Sequence, residues 1–134
     1  MIINTGLRTD IPAFFSEWFF NRIKEGYVLV RNPYSRNQLF KYRLTHDVVD
    51  CILFCTKNPK PMLERLDEIS DFSQLWFVTI TPYGKDIERN VPAYSKVIES
   101  FKELSDKLSP KQVTLRYDSI FIINHILSHN ICSL

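Results

Sequence analysis

The chain alternates between short apolar runs and stretches whose apolar residues recur every three or four positions. Ile2 to Asn4 reads as a short buried strand. Pro12 to Lys24 follows as a helix, with Phe15, Trp18, Phe19 and Arg22-Ile23 at helical spacing. Asp10 or Thr9 suits its N-cap, Pro12 its first turn, and Gly26 a left-handed end. Tyr27 to Val30 reads as a second main strand, and Asn32-Pro33-Tyr34-Ser35 as a turn. Gln38 to Leu44 fits one strand of a side hairpin. Val49 to Cys55 is apolar on both faces, as a parallel strand covered on two sides should be. Pro59 and Pro61 open a helix that runs to about Ile69. Leu75 to Ile80 reads as a fourth main strand, ended by Pro82-Tyr83-Gly84. Pro92 starts an amphipathic helix to about Leu108, with Val97, Ile98, Phe101, Leu104 and Leu108 on one face. Val113 to Leu115 reads as a fifth strand.

Strands and helices that alternate in this way predict an α/β fold with parallel strands and right-handed crossovers. The chain holds only three glycines, and Gly6 stands alone in its loop, so a glycine-rich dinucleotide turn is not expected. A partial (β/α) TIM-type barrel of about five parallel strands with flanking helices fits better. In that fold the C-terminal ends of the strands face one mouth, where active sites lie. Polar residues follow each predicted main strand: Arg8, Thr9 and Asp10; Arg31 and Asn32; Thr56, Lys57 and Asn58; Thr81 and Tyr83; Arg116, Tyr117 and Asp118.

These positions form the candidate ligand-binding rim. Arg8 suits a forked, charge-assisted contact to an anionic group, and Lys57 and Arg31 add positive charge. Arg116 and Asp118 repeat the Arg-x-Asp spacing of Arg8 and Asp10. Two such pairs serve acid–base work or ligand orientation. The plainer alternative is that Asp10 only caps a helix and the rest form structural ion pairs. No metal site is expected. His46 belongs to a surface turn. His125 and His129 share one helix face but have no acidic partner nearby. Cys51 and Cys55 lie on one strand, and with Cys132 they have no metal-binding spacing, so buried thiols are the ordinary reading. No serine-nucleophile elbow, P-loop or Cys-x-x-Cys is present.

Composition narrows the class. The 134 residues are 45% hydrophobic and 24% charged, with a net charge of +2. That fits one globular domain and offers no concentration of Lys and Arg for nucleic acid. No apolar run is long enough to cross a membrane, and the first residues do not read as a signal peptide. A cytoplasmic location is expected.

The ordered motifs Ile3-Asn4-Thr5-Gly6-Leu7-Arg8-Thr9-Asp10-Ile11-Pro12-Ala13, Val30-Arg31-Asn32-Pro33-Tyr34, Cys55-Thr56-Lys57-Asn58-Pro59, Thr79-Ile80-Thr81-Pro82-Tyr83-Gly84 and Leu115-Arg116-Tyr117-Asp118 resemble a prokaryotic family of unknown function, domain-of-unknown-function family 1848. The resemblance covers Met1 to about Phe121. It implies a barrel related to radical S-adenosylmethionine enzymes, about twice this length, with a C-terminal cysteine cluster for an iron–sulfur centre. This chain departs from that pattern. Ser119 stands where the family has proline, the tail from Ile123 diverges, and the cysteine cluster is absent. Three thiolates are the minimum for such a cluster. The expectation is therefore an N-terminal half barrel over residues 1–122 and a divergent tail over 123–134, carrying no cofactor and inactive alone. Iron–sulfur and S-adenosylmethionine chemistry is reserved for full-length bacterial relatives. The alternative is a self-sufficient module that binds a small molecule or a protein. A small anionic ligand is the expected partner, with no nucleic acid and no membrane. The cut strand edges of a half barrel are expected to drive self-association.

Overall fold

The structure, a computed structural model, describes residues 1–35 and 37–117. Its elements in chain order are β1 (Ile2–Asn4), α1 (Ile11–Phe14), α2 (Ser16–Glu25), β2 (Tyr27–Arg31), β3 (Leu39–Arg43), β4 (Cys51–Thr56), a 3₁₀ segment (Lys60–Ile69), β5 (Gln74–Ile80), α3 (Tyr94–Lys107) and β6 (Val113–Tyr117). β1, β4, β5 and β6 form one parallel sheet in that order, with Asn4 beside Leu53, Cys55 beside Phe77, and Ile80 beside Tyr117. The chain is thus a mixed α/β fold with a four-stranded parallel sheet and flanking helices. No barrel is closed among the described residues.

The second expected main strand is corrected. β2 does not enter the parallel sheet; it pairs antiparallel with β3, Tyr27 opposite Arg43 and Arg31 opposite Leu39. The turn chemistry explains why. Asn32 N donates to Gln38 O (3.0 Å), and Tyr34 N donates to the Asn32 Oδ1 (2.9 Å). This local side-chain turn reverses the chain at once. Four parallel strands are therefore described where five were expected, and the hairpin is an insertion in the crossover from β1 to β4. Arg31 and Asn32 lie at a hairpin end and not at a parallel strand end.

Other expectations shift in detail. Ile2 is 70% exposed, so β1 is an open edge rather than a buried strand. The first helix breaks at Phe15 (φ −134°, ψ 26°), a point that no glycine or proline marks. Asp10 Oδ1 accepts from Ala13 N (3.0 Å) as the predicted cap, and Gly26 takes the predicted left-handed conformation (φ 74°). The helix after β4 is wound as 3₁₀ and kinks at Arg65 (φ −123°, ψ 17°). Asp118, His125, His129, Cys132 and the 123–134 tail lie outside the described residues.

The core sits on one face of the sheet. Ile52, Phe54, Trp76, Val78, Ile80 and Val113 point to that face and meet Phe19, Phe20, Met62, Leu63, Ile69, Val97 and Leu104 from the helical layer. Side chains alternate across a strand, so their neighbours point the other way. Among these, Leu53, Cys55 and Phe77 are half-buried and Leu75 is 42% exposed. One face is closed by helices, and the other is apolar but more open among the described residues. A surface pair, Lys60 Nζ to Glu103 Oε2 (2.9 Å), ties the 3₁₀ segment to α3. That hydrogen bond holds the Glu103 carboxyl below its ordinary range and the Lys60 ammonium above it.

Candidate functional site

The loop after β1 is placed by a close approach. Thr5 extends the β1–β4 pairing, with both its N (3.0 Å) and its Oγ1 (3.2 Å) donating to Leu53 O. Gly6 then lies against Cys55, where an added Cβ would come within 2.5 Å of the Cys55 Cβ. This contact carries Arg8, Thr9 and Asp10 over the C-terminal end of β4. Asp10 uses both carboxylate oxygens. Oδ1 caps α1, and Oδ2 accepts from Lys57 N at 2.8 Å. A cap alone is therefore an incomplete account of this residue. Asp10→Ala is expected to lower stability by about 1 kcal/mol for the lost cap. It should also shift the Lys57 amide resonance. An unchanged Lys57 amide would contradict the second bond.

The loops after β4 and β5 are joined by charge. Lys57 Nζ pairs with Glu88, and Thr81 Oγ1 donates to the other Glu88 oxygen. Thr81 is buried, and the Glu88 side chain is only 15% exposed. Thr56 Oγ1 accepts from Asn58 N (2.9 Å), and Asn58 Oδ1 accepts from Lys60 N (3.3 Å), so these two shape the turn into the 3₁₀ segment. Asp10, Thr56, Lys57, Asn58 and Thr81 thus form one linked cluster. Glu88 joins it, and sequence reasoning missed it. It is one acid among several in an irregular loop; its position seven residues after Thr81 was the only signal.

Arg8 and Arg31 lie apart from this cluster, where the loop after β1 meets the hairpin. Arg8 Nη2 donates to the Arg31 carbonyl oxygen (3.2 Å), which brings the β1 loop to the hairpin. Asn32 is spent on the turn, its Nδ2 bonded to Gln38 Oε1 at 2.7 Å. Arg116 and Tyr83 each have an interaction partner. Beside β1 opens a groove of about 610 Å³ between the 5–9 loop, α2 and β2. Arg8, Thr9, Arg22 and Arg31 line it with an otherwise mainly apolar set that includes Phe15 and Trp18.

The comparisons with known proteins bear on this arrangement. Residues 2–132 match the family described as Domain of unknown function (DUF1848). The chain belongs to this family. No curated protein and no solved structure matches it. The DUF1848 match runs past Phe121, where the quoted motifs end. It spans all the loops that build the rim. Among the described residues, no helix is long and apolar enough to cross a membrane.

The residues of this DUF1848 chain can be set against an iron–sulfur centre. Cys51 and Cys55 stand four residues apart on β4, about 13 Å at the rise of a strand. Among the described residues, no three His, Cys, Asp or Glu side chains converge as metal ligands. These residues do not fit such a cluster.

Proposed function

We propose that the C-terminal rim of the parallel sheet is the ligand-binding half of a (β/α)-barrel-type site for a small anionic molecule. The observation that carries this reading is the Asp10–Lys57–Glu88–Thr81 cluster. It locks the loops after three successive parallel strands into one surface, at the strand ends where barrel enzymes bind their substrates. Among the described residues the helical layer lies on one face of the sheet, which supports the barrel-type reading, because a doubly wound open sheet carries helices on both faces. Kinship with radical S-adenosylmethionine enzymes belongs to the same proposal. No step is assigned to a cluster, since the described residues do not fit one.

Amide resonances followed during titration with inorganic phosphate, malonate and S-adenosylmethionine test this. At least one of these is expected to shift Thr9, Asp10, Lys57, Asn58 and the 81–88 loop. Lys57→Met should weaken binding. Glu88→Gln should strengthen it, because it frees the Lys57 charge from its partner. Absence of these shifts with all three probes, or an affinity indifferent to both substitutions, would overturn the reading.

A further inference from the structure

The groove beside β1 has a chemistry of its own. Its volume, about 610 Å³, lies in the range of small-molecule sites. Three of its sixteen lining residues are arginines and none is acidic. Arg22 enters from α2 and was not legible as functional in the sequence. Its Nε is buried with no hydrogen-bond partner, the one such side-chain atom among the described residues. Its guanidinium carbon lies 5.9 Å from the centroid of the Tyr27 ring. A buried donor without a partner is costly, and natural folds rarely leave one without a reason. Among the described residues, Arg8 makes one hydrogen bond, to the Arg31 carbonyl, which leaves further donors of its fork for a ligand. Phe15 and Trp18 line the same groove and are 47% and 45% exposed.

We propose that this groove binds a small organic acid, its oxyanion held by Arg8, Arg22 and Arg31 and its flat apolar body laid on Phe15 and Trp18. The proposal does not rest on the rim reading, because Lys57, Thr81 and Glu88 lie outside the groove. Guanidinium forks match carboxylate, sulfonate and phosphate oxygens geometrically. An apolar protein surface covering the groove would instead bury three cations without counter-charges, which is unfavourable. A second copy of the chain or another protein segment is therefore the weaker occupant.

The probe is 8-anilinonaphthalene-1-sulfonate, an aromatic oxyanion, set against N-phenyl-1-naphthylamine, a similar body without charge. Fluorescence titration should show the sulfonate binding one per chain, and at least about tenfold tighter than the amine. Arg22→Gln and Arg31→Gln should each weaken the sulfonate by about tenfold and leave the amine unchanged. Lys96→Gln removes an exposed charge from α3 and should change neither. Arg31 is exposed, so its substitution tests the charge without disturbing the core, and a melting curve checks Arg22→Gln. Equal affinity for the two dyes, sulfonate binding indifferent to both arginine substitutions, or a dimer that excludes the dye would each overturn the proposal. The rim reading fails or stands separately, on the phosphate, malonate and S-adenosylmethionine shifts at Lys57 and the 81–88 loop.

Discussion

Trp76→Ala is expected to lower the unfolding free energy by about 3–5 kcal/mol, the largest effect of any single substitution considered. Trp76 is fully buried at the centre of β5 and stacks on Phe54, the ring centroids 4.0 Å apart and the planes at 21°. Phe54 in turn meets Phe19 edge-on at 5.5 Å, so the stack links the sheet to α2. The indole Nε1 donates to Gln74 Oε1 (3.1 Å), and Gln74 Nε2 donates to Ile69 O (2.9 Å). Alanine would leave a cavity under the sheet and strip Gln74 of a buried partner. For a small domain the predicted loss is a large share of the total stability. Urea unfolding followed by far-UV circular dichroism measures it, and Trp76→Phe should lose markedly less. A loss below about 1 kcal/mol would show that β5 is not the centre of the core.

Gly6→Ala should come next, at about 1–3 kcal/mol, for a different reason. The new Cβ would sit 2.5 Å from the Cys55 Cβ, with the Cys55 carbonyl oxygen at 3.3 Å. Neither neighbour is the free end of a flexible side chain, so the loop itself must lift. The lift should weaken the Asp10 contact to Lys57. The double variant Gly6→Ala/Cys55→Gly should recover part of the loss in thermal melts. If the single variant melts like the parent, the close approach is not a constraint on the loop.

Much of this arrangement was legible from local chemistry. Asp10 at a cap, Gly26 in a left-handed end and the amphipathic pattern of α3 each follow from one residue or one period. The hairpin was not. Tyr27-Val-Leu-Val-Arg is an apolar run that suits a buried parallel strand as well as a hairpin arm, and periodicity does not separate them. The Asn32 turn decided the matter, and its weight became visible only with its partners. The clustering of Asp10, Thr56, Lys57, Asn58 and Thr81 was legible because they follow strands that end on one side of the sheet. Glu88 and Arg22 were hidden for opposite reasons. Glu88 comes from an irregular loop, whereas Arg22 falls at the helical spacing of Phe15, Trp18 and Phe19 and reads as part of that face.

The hairpin inserted between β1 and β4 also bears on how the molecule assembles. β4 meets β5 across a short connection, whereas Thr5 must find Leu53 across 48 residues. β1 offers only three residue pairs in return. Closing a longer loop costs more entropy, and three pairs recover little of it. β1 is thus expected to join the sheet late in folding and to open early in the native state, which amide hydrogen exchange at Ile3 and Thr5 would show as protection weaker than at β4 and β5. Asp10 is carried on the loop that would leave with it, so the cluster that Asp10 shares with Lys57 is expected to open with β1 while the core stays packed. A molecule gripping that loop would stabilise the seam that breathes most, so its affinity would include the work of closing the sheet.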